Sequence, residues 1–231
     1  MRFEELDWQQ TAMGDLTLRR RFEASAGIEI FEVKLGDEFL MSSLFTVAEE
    51  ELATLGLAAT AGTELDVLVG GLGLGYTAVA ALRDPRVRSL TVIDALPTVI
   101  DWHQRGLLPV SAELTADQRT NLVHDDFFAV MRTPRVGDSQ RYDVILLDVD
   151  HSPRHSLNPS HADLYTVPGL QALRAHLNGD GVFALWSDDP PDDEFMSILS
   201  AAFPQADAHV VDFANPVTGG TSSNTVYVAR S

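Results

Sequence analysis

The chain has no cysteine, which excludes disulfides and thiolate metal sites. Basic residues are scarce: 16 Lys and Arg stand against 34 Asp and Glu, Lys34 is the one lysine, and the formal net charge is −18. Nucleic acid and anionic membranes attract basic surfaces, so this balance argues against both and suits cationic small molecules. No apolar run approaches the ~20 residues of a membrane-spanning helix. The stretch from Met1 to Trp8 lacks the basic-then-apolar pattern of a signal peptide, so a cytoplasmic location is the expectation. What remains is an ordinary globular composition over 231 residues, enough for one α/β domain and a small appendage.

Residues 1–45 read as a small N-terminal β-hairpin or meander. Leu16 to Phe22, Gly27 to Lys34 and Glu38 to Met41 carry strand patterning, with Gly36-Asp37 as a turn. Thr46-Val47-Ala48-Glu49 reads as a capping box opening a helix that buries Val47, Leu52 and Leu55. From there, residues 46–231 read as one Rossmann-like domain. Apolar strands at Leu65–Val69, Leu90–Ile93, Asn121–Val123, Tyr142–Leu147 and Val182–Trp186 alternate with helices, the mark of a parallel sheet covered on both faces. One of these helices runs from Thr166 to Leu177 and stops at Asn178-Gly179. His209–Phe213 and Thr225–Ala229 follow without a crossover helix and so can pair antiparallel. The fold class is therefore α/β: a class I methyltransferase-like, mostly parallel seven-stranded sheet ending in an antiparallel hairpin.

The first strand-to-helix turn is Gly71-Leu72-Gly73-Leu74-Gly75. Gly71, Gly73 and Gly75 let backbone amides approach a ligand. Tyr76 stands where a nicotinamide G-x-G-x-x-G fingerprint needs its last glycine, so the turn is of the S-adenosylmethionine type. The next strand ends in Asp94, able to accept from a ribose diol, and the third in Asp125 and Asp126, candidates for an adenine amino group. The fourth, the most apolar, ends in Asp148. All these tips fall on the carboxyl edge of one sheet, where open α/β folds bind ligands. His151, His155 and His161 share the following loop with Asp148, Asp150 and Asp163, but their irregular spacing makes an active-site loop the reading rather than a metal centre.

These motifs resemble the spermidine synthase (polyamine aminopropyltransferase) family over roughly residues 35–230. Asp94-Ala95-Leu96-Pro97-Thr98-Val99-Ile100 is similar to the family's acid-I-D-P-x-V-I, His124-Asp125-Asp126-Phe127 to its G-D-G-F, and Tyr142-Asp143-Val144-Ile145-Leu146-Leu147-Asp148 to its Y-D-V-I-x-x-D. The resemblance implies Asp94 on the ribose, Asp125 on the adenine and Asp148 as the catalytic aspartate. It also implies decarboxylated S-adenosylmethionine as cofactor, a small amine as partner and a homodimer. Three places depart from the pattern. Gly73 stands where the family has an aspartate that helps hold the aminopropyl group. His151 takes the second aspartate of the amine loop, with Asp150 one residue early. Ala48 takes a substrate-side tyrosine, although Glu49 and Glu50 follow.

The function expected is therefore transfer of an alkyl (aminopropyl) group from a sulfonium nucleoside to a small amine. Asp148 is the base; Asp150, His151, Glu49, Glu50 and Tyr165 are on the amine side, and Trp186 is near the crevice. Two alternatives stand beside it. One is a small-molecule methyltransferase using intact S-adenosylmethionine, for which Gly73 leaves room. The other is a non-catalytic nucleoside-binding protein that has lost its amine side.

Overall fold

In the computed structural model, which describes residues 3–11, 13–133 and 141–231, two sheets carry the chain. Met1, Arg2 and Ala12 of the expected N-terminal β region lie outside the described residues. The first sheet is an antiparallel meander of β1 (Phe3–Thr11), β2 (Gly14–Glu23), β3 (Ile28–Leu35) and β4 (Glu38–Ser42). After α1 (Val47–Ala58) come β5 (Leu65–Gly70), α2 (Tyr76–Leu82), β6 (Val87–Asp94), α3 (Pro97–Gln104), α4 (Ser111–Ala116), β7 (Thr120–His124) and α5 (Phe127–Arg132). Then follow β8 (Tyr142–Leu147), α6 (Val167–Arg174), β9 (Leu177–Ser187), α7 (Asp193–Ala202), β10 (Gln205–Asn215) and β11 (Gly220–Arg230).

The second sheet has seven strands in the order β10-β11-β9-β8-β5-β6-β7. The five from β9 to β7 are parallel, while β11 joins β9 and β10 antiparallel. This is the α/β architecture expected from the sequence. The strand order reverses between β5 and β8, so their carboxyl ends diverge into a crevice, the place where such sheets take ligands.

The pleat divides the core in two. Val67, Val69, Val144, Leu146, Val182 and Ala184 face α1 to α4, in a cluster that also takes in Leu16, Leu18 and Val33 of the first sheet. Leu68, Ile145, Leu147, Phe183 and Leu185 face the other way, among Phe128 of α5, Leu170 and Leu173 of α6, and Phe195 and Leu199 of α7. Runs such as Val144 to Leu147 are apolar throughout because both faces are covered. Among the described residues no helix is long and apolar enough to cross a membrane.

Three local expectations change. Thr46 makes no capping bond, and its hydroxyl turns instead to Glu50 at 3.2 Å; the capping box is absent because Glu49 points into the crevice. Val47 is exposed, since the buried stripe of α1 is Ala48, Leu52, Ala53, Gly56 and Leu57. α6 ends at Arg174, and Asn178-Gly179 lies inside β9, whose start pairs with Tyr142.

At Gly56 α1 packs directly on the sheet. A Cβ there would lie 2.6 Å from Leu146 Cδ2 and 3.3 Å from Ala184 Cβ. Gly56→Ala is expected to lower stability by about 1–2 kcal/mol, overpacking outweighing the gain in helix propensity. A lower urea midpoint at unchanged slope would be the sign; a midpoint that rises would show that α1 can lift off the sheet.

Candidate active site

The strand tips meet around the glycine turn. Gly71 has φ +93°, and a Cβ on it would sit 2.0 Å from the carbonyl oxygen of Asp148, so only glycine lets β5 and β8 end side by side here. The Asp148 amide donates to Gly70 O at 2.8 Å, and the Gly71 amide to Ile93 O at 2.9 Å, which keeps the three strand ends in step.

Asp94, at the end of β6, holds the turn from its amide side. Its Oδ2 accepts from Leu72 N at 2.9 Å and Gly73 N at 3.4 Å, and its Oδ1 from Leu96 N at 2.8 Å. Burial raises its carboxyl while the amides pull the other way. His103 holds the carbonyl side, its Nε2 lying 3.0 Å from Gly73 O and its Nδ1 3.3 Å from Ser111 Oγ. A carbonyl only accepts, so Nε2 carries the proton and Nδ1 accepts from the serine. Burial keeps this imidazole neutral by lowering its pKa.

Asp148 lies at the junction of two cavities. One, of about 230 Å³, runs past Gly71, Gly73, Ile93, Asp94, Leu96, Asp126 and Phe127. Its apolar floor and acidic rim fit a nucleoside. The other, of about 370 Å³, is walled by Phe39, Phe45, Tyr76, Trp186 and Phe213, with Glu49, Asp148, Asp188 and His151 among its polar groups. Thr77 Oγ1 donates to Asp148 Oδ2 at 2.6 Å. Burial pushes the Asp148 carboxyl up to about 6. Burial, and after it the charge on Asp148, pushes Glu49 up to about 8. The two carboxyls thus share a half-buried wall and hold protons more tightly than exposed acids do. Neither cavity is lined by lysine or arginine among the described residues.

Gly71, Gly73, Asp94, Asp126 and Asp148 line the nucleoside-sized cavity, and Gly73, Gly75, Glu49, His151 and Asp148 the second. The other candidates stand elsewhere. Asp125 is exposed and accepts from the Asp126 amide; Asp126, capping α5 through Oδ1, is the one facing the cavity. Asp150 is 1% exposed and accepts from Leu157 N, His161 Nδ1 and Tyr165 OH, so it organises the loop and does not face an amine. Tyr165 is likewise buried, edge-on to Phe195. Glu50 turns outward to Arg83. For Asp125 and Asp150 the cause is the same: an acid beside a loop is drawn to the donors around it that need an acceptor.

Of the loop histidines, His155 pairs with Asp189 and His161 stacks on Phe128. No group of three or more His, Asp or Glu is arranged to hold a metal among the described residues. The sequence carried no signal for Thr77, His103, Asp188 or Asn224, nor, Trp186 apart, for the aromatic walls.

Comparisons with known proteins bear on the family and the fold. The spermine/spermidine synthase domain pattern matches residues 46–214, more than half of the chain. A polyamine aminopropyltransferase of Oceanobacillus iheyensis is 28% identical over 130 residues, 55% of this chain and 24% of that protein. One of Corynebacterium efficiens is 34% identical over 132 residues, 57% of this chain and 24% of that protein. The matched stretch thus spans about a quarter of these curated relatives. Spermidine synthase from Thermotoga maritima superimposes with a TM-score of 0.74 at 19% identity, covering 98% of this chain and 72% of that one. A spermidine synthase in complex with the transition state analogue AdoDATO does so equally well, with a TM-score of 0.74 at 18% identity, over 98% of this chain and 73% of that one. The chain therefore belongs to the spermine/spermidine synthase family.

Proposed function

We propose that the chain transfers an alkyl group, aminopropyl in the first instance, from a decarboxylated sulfonium nucleoside to a small cationic amine. One observation carries the reading: Asp148 lies where a nucleoside-sized cavity meets an acidic, aromatic-walled one. Gly71, Gly73, Asp94 and Asp126 would hold the nucleoside. Asp94 Oδ1 keeps a lone pair for a ribose hydroxyl, and Asp126 Oδ2 takes no protein hydrogen bond among the described residues. The sulfonium makes its neighbouring carbon electrophilic. In the second cavity Asp188 attracts an ammonium, Glu49 ionises once that cation lies beside it, and the aromatic rings favour cations over their faces. Asp148 accepts the amine proton, the freed nitrogen attacks the carbon next to sulfur, the C–S bond breaks as N–C forms, and sulfur leaves as a neutral thioether. Alignment of nitrogen, carbon and sulfur across the junction supplies the proximity term.

The lack of lysine and arginine in the lining, among the described residues, also selects the cofactor form. An intact amino-acid carboxylate would find carboxylates and no lysine or arginine, and the room beside Gly73 is taken by Met41, whose Sδ is 3.0 Å from where a Cβ would be. Calorimetry is expected to find decarboxylated S-adenosylmethionine bound at least tenfold more tightly than the intact form, a difference of ~1.4 kcal/mol or more. Preference for the intact form would make the chain a methyltransferase. Nucleoside binding without turnover on any amine would make it a binding protein.

A further inference from the structure

Leu40, Met41, Gly73, Asp148 and Val149 line both cavities. They form the neck through which anything joining the two must pass. Gly73 contributes no side chain, and Met41 lies directly across from it: a Cβ at Gly73 would be 3.0 Å from Met41 Sδ and 3.6 Å from Met41 Cε. Gly73 cannot drift away, because Asp94 and His103 hold its amide and carbonyl.

The β4 backbone explains why Met41 is there. In a regular strand, neighbouring side chains face opposite ways. Here the pairing slips: Met41 opposes Val33 while Phe39 opposes Lys34, leaving Leu40 as an extra residue. A bulge of this kind re-aims side chains, and Phe39, Leu40, Met41 and Ser42 in succession all line the aromatic cavity.

We infer that Met41 is a specificity-determining residue, setting the bore between donor and acceptor cavities so that only an unbranched alkyl chain passes. This rests on the reading above and adds a selectivity to it. The unbranched thioether has three rotatable bonds and yields to a methylene chain, whereas a branched carbon next to sulfur would press on Met41 and Gly73 at once. With no carboxylate at Gly73, the charged end of the chain lies in the acidic cavity, near Glu49 and Asp188.

Two probes separate the neck from the rest. Methylthioadenosine fills only the nucleoside side; an adenosyl thioether carrying an unbranched aminoalkyl chain, joined to sulfur through its end carbon, spans both. Met41→Phe is expected to leave the Kd of methylthioadenosine within about threefold of wild type and to weaken the spanning probe about tenfold or more. Met41→Ala is expected to bind a spanning probe branched beside sulfur that wild type rejects. Equal weakening of both probes in Met41→Phe, or no weakening of the spanning one, overturns the inference. If the phenylalanine variant does not fold, Met41→Ala decides alone: continued rejection of the branched probe overturns it. A wild-type protein that binds neither probe defeats the functional reading first and this inference with it.

Discussion

Asp148→Asn is expected to lower turnover by about 10²–10⁴-fold, the usual worth of a positioned general base, while methylthioadenosine binds as it does to wild type. An asparagine can still accept from Thr77, whose hydroxyl lies 2.6 Å from Asp148 Oδ2, so the shape of the junction survives. What it cannot do is take a proton from an ammonium. Burial raises Asp148 to about 6, so it is ionised at neutral pH yet a stronger base than an exposed aspartate. In wild type, kcat/KM should therefore fall about tenfold per pH unit below that value as the carboxylate is protonated. Single-turnover transfer measured beside nucleoside binding makes the test. Unchanged transfer in the variant removes Asp148 from the chemistry, and loss of nucleoside binding recasts it as part of the cofactor site.

Glu49→Gln is expected to stabilise the protein in alkali and to leave it unchanged in acid. Burial, then the Asp148 charge, and less strongly Glu50 and Asp188, raise the folded Glu49 carboxyl to about 8, against about 4.3 in an unfolded chain. Below about pH 4 both states hold the proton and the group is silent. As pH rises from there, the unfolded chain releases its proton and the folded one keeps it. Stability is then lost by up to ~1.4 kcal/mol per pH unit until the folded group ionises as well. Glutamine never ionises, so the stability gap between variant and wild type should widen by roughly 2 kcal/mol or more between about pH 5 and about pH 9. Denaturant midpoints at the two pH values measure it. A gap that stays constant would mean that water reaches Glu49 freely. The same variant should bind a small amine more weakly, because glutamine cannot ionise beside an ammonium as Glu49 can.

The elements were legible where pattern is strong. β5, β8 and the α2 helix after the glycine turn lie where apolar runs and glycines put them, because a strand buried on both faces must be apolar along its whole length. The acids at strand ends were legible too, since Asp94 and Asp148 follow apolar strands without a break. Two things did not show. Competition for hydrogen bonds was hidden: nothing local says that Asp150 is consumed by Leu157, His161 and Tyr165, or that Asp126 rather than Asp125 faces the cavity. Helix phase was hidden as well, which is why Val47 lies outside and Glu50 turns away to Arg83.

By itself, then, the sequence determined the α/β class, the glycine turn and the row of strand-end carboxylates, because each depends on the order of neighbours along the chain. Only the tertiary structure decided what those carboxylates face. Glu49 meets Asp148 across Thr77, and Met41 meets Gly73, through contacts between segments far apart in the chain. Burial, joined at Glu49 by the charge of a second acid, is the main cause of altered proton affinity here and arises only once those segments pack.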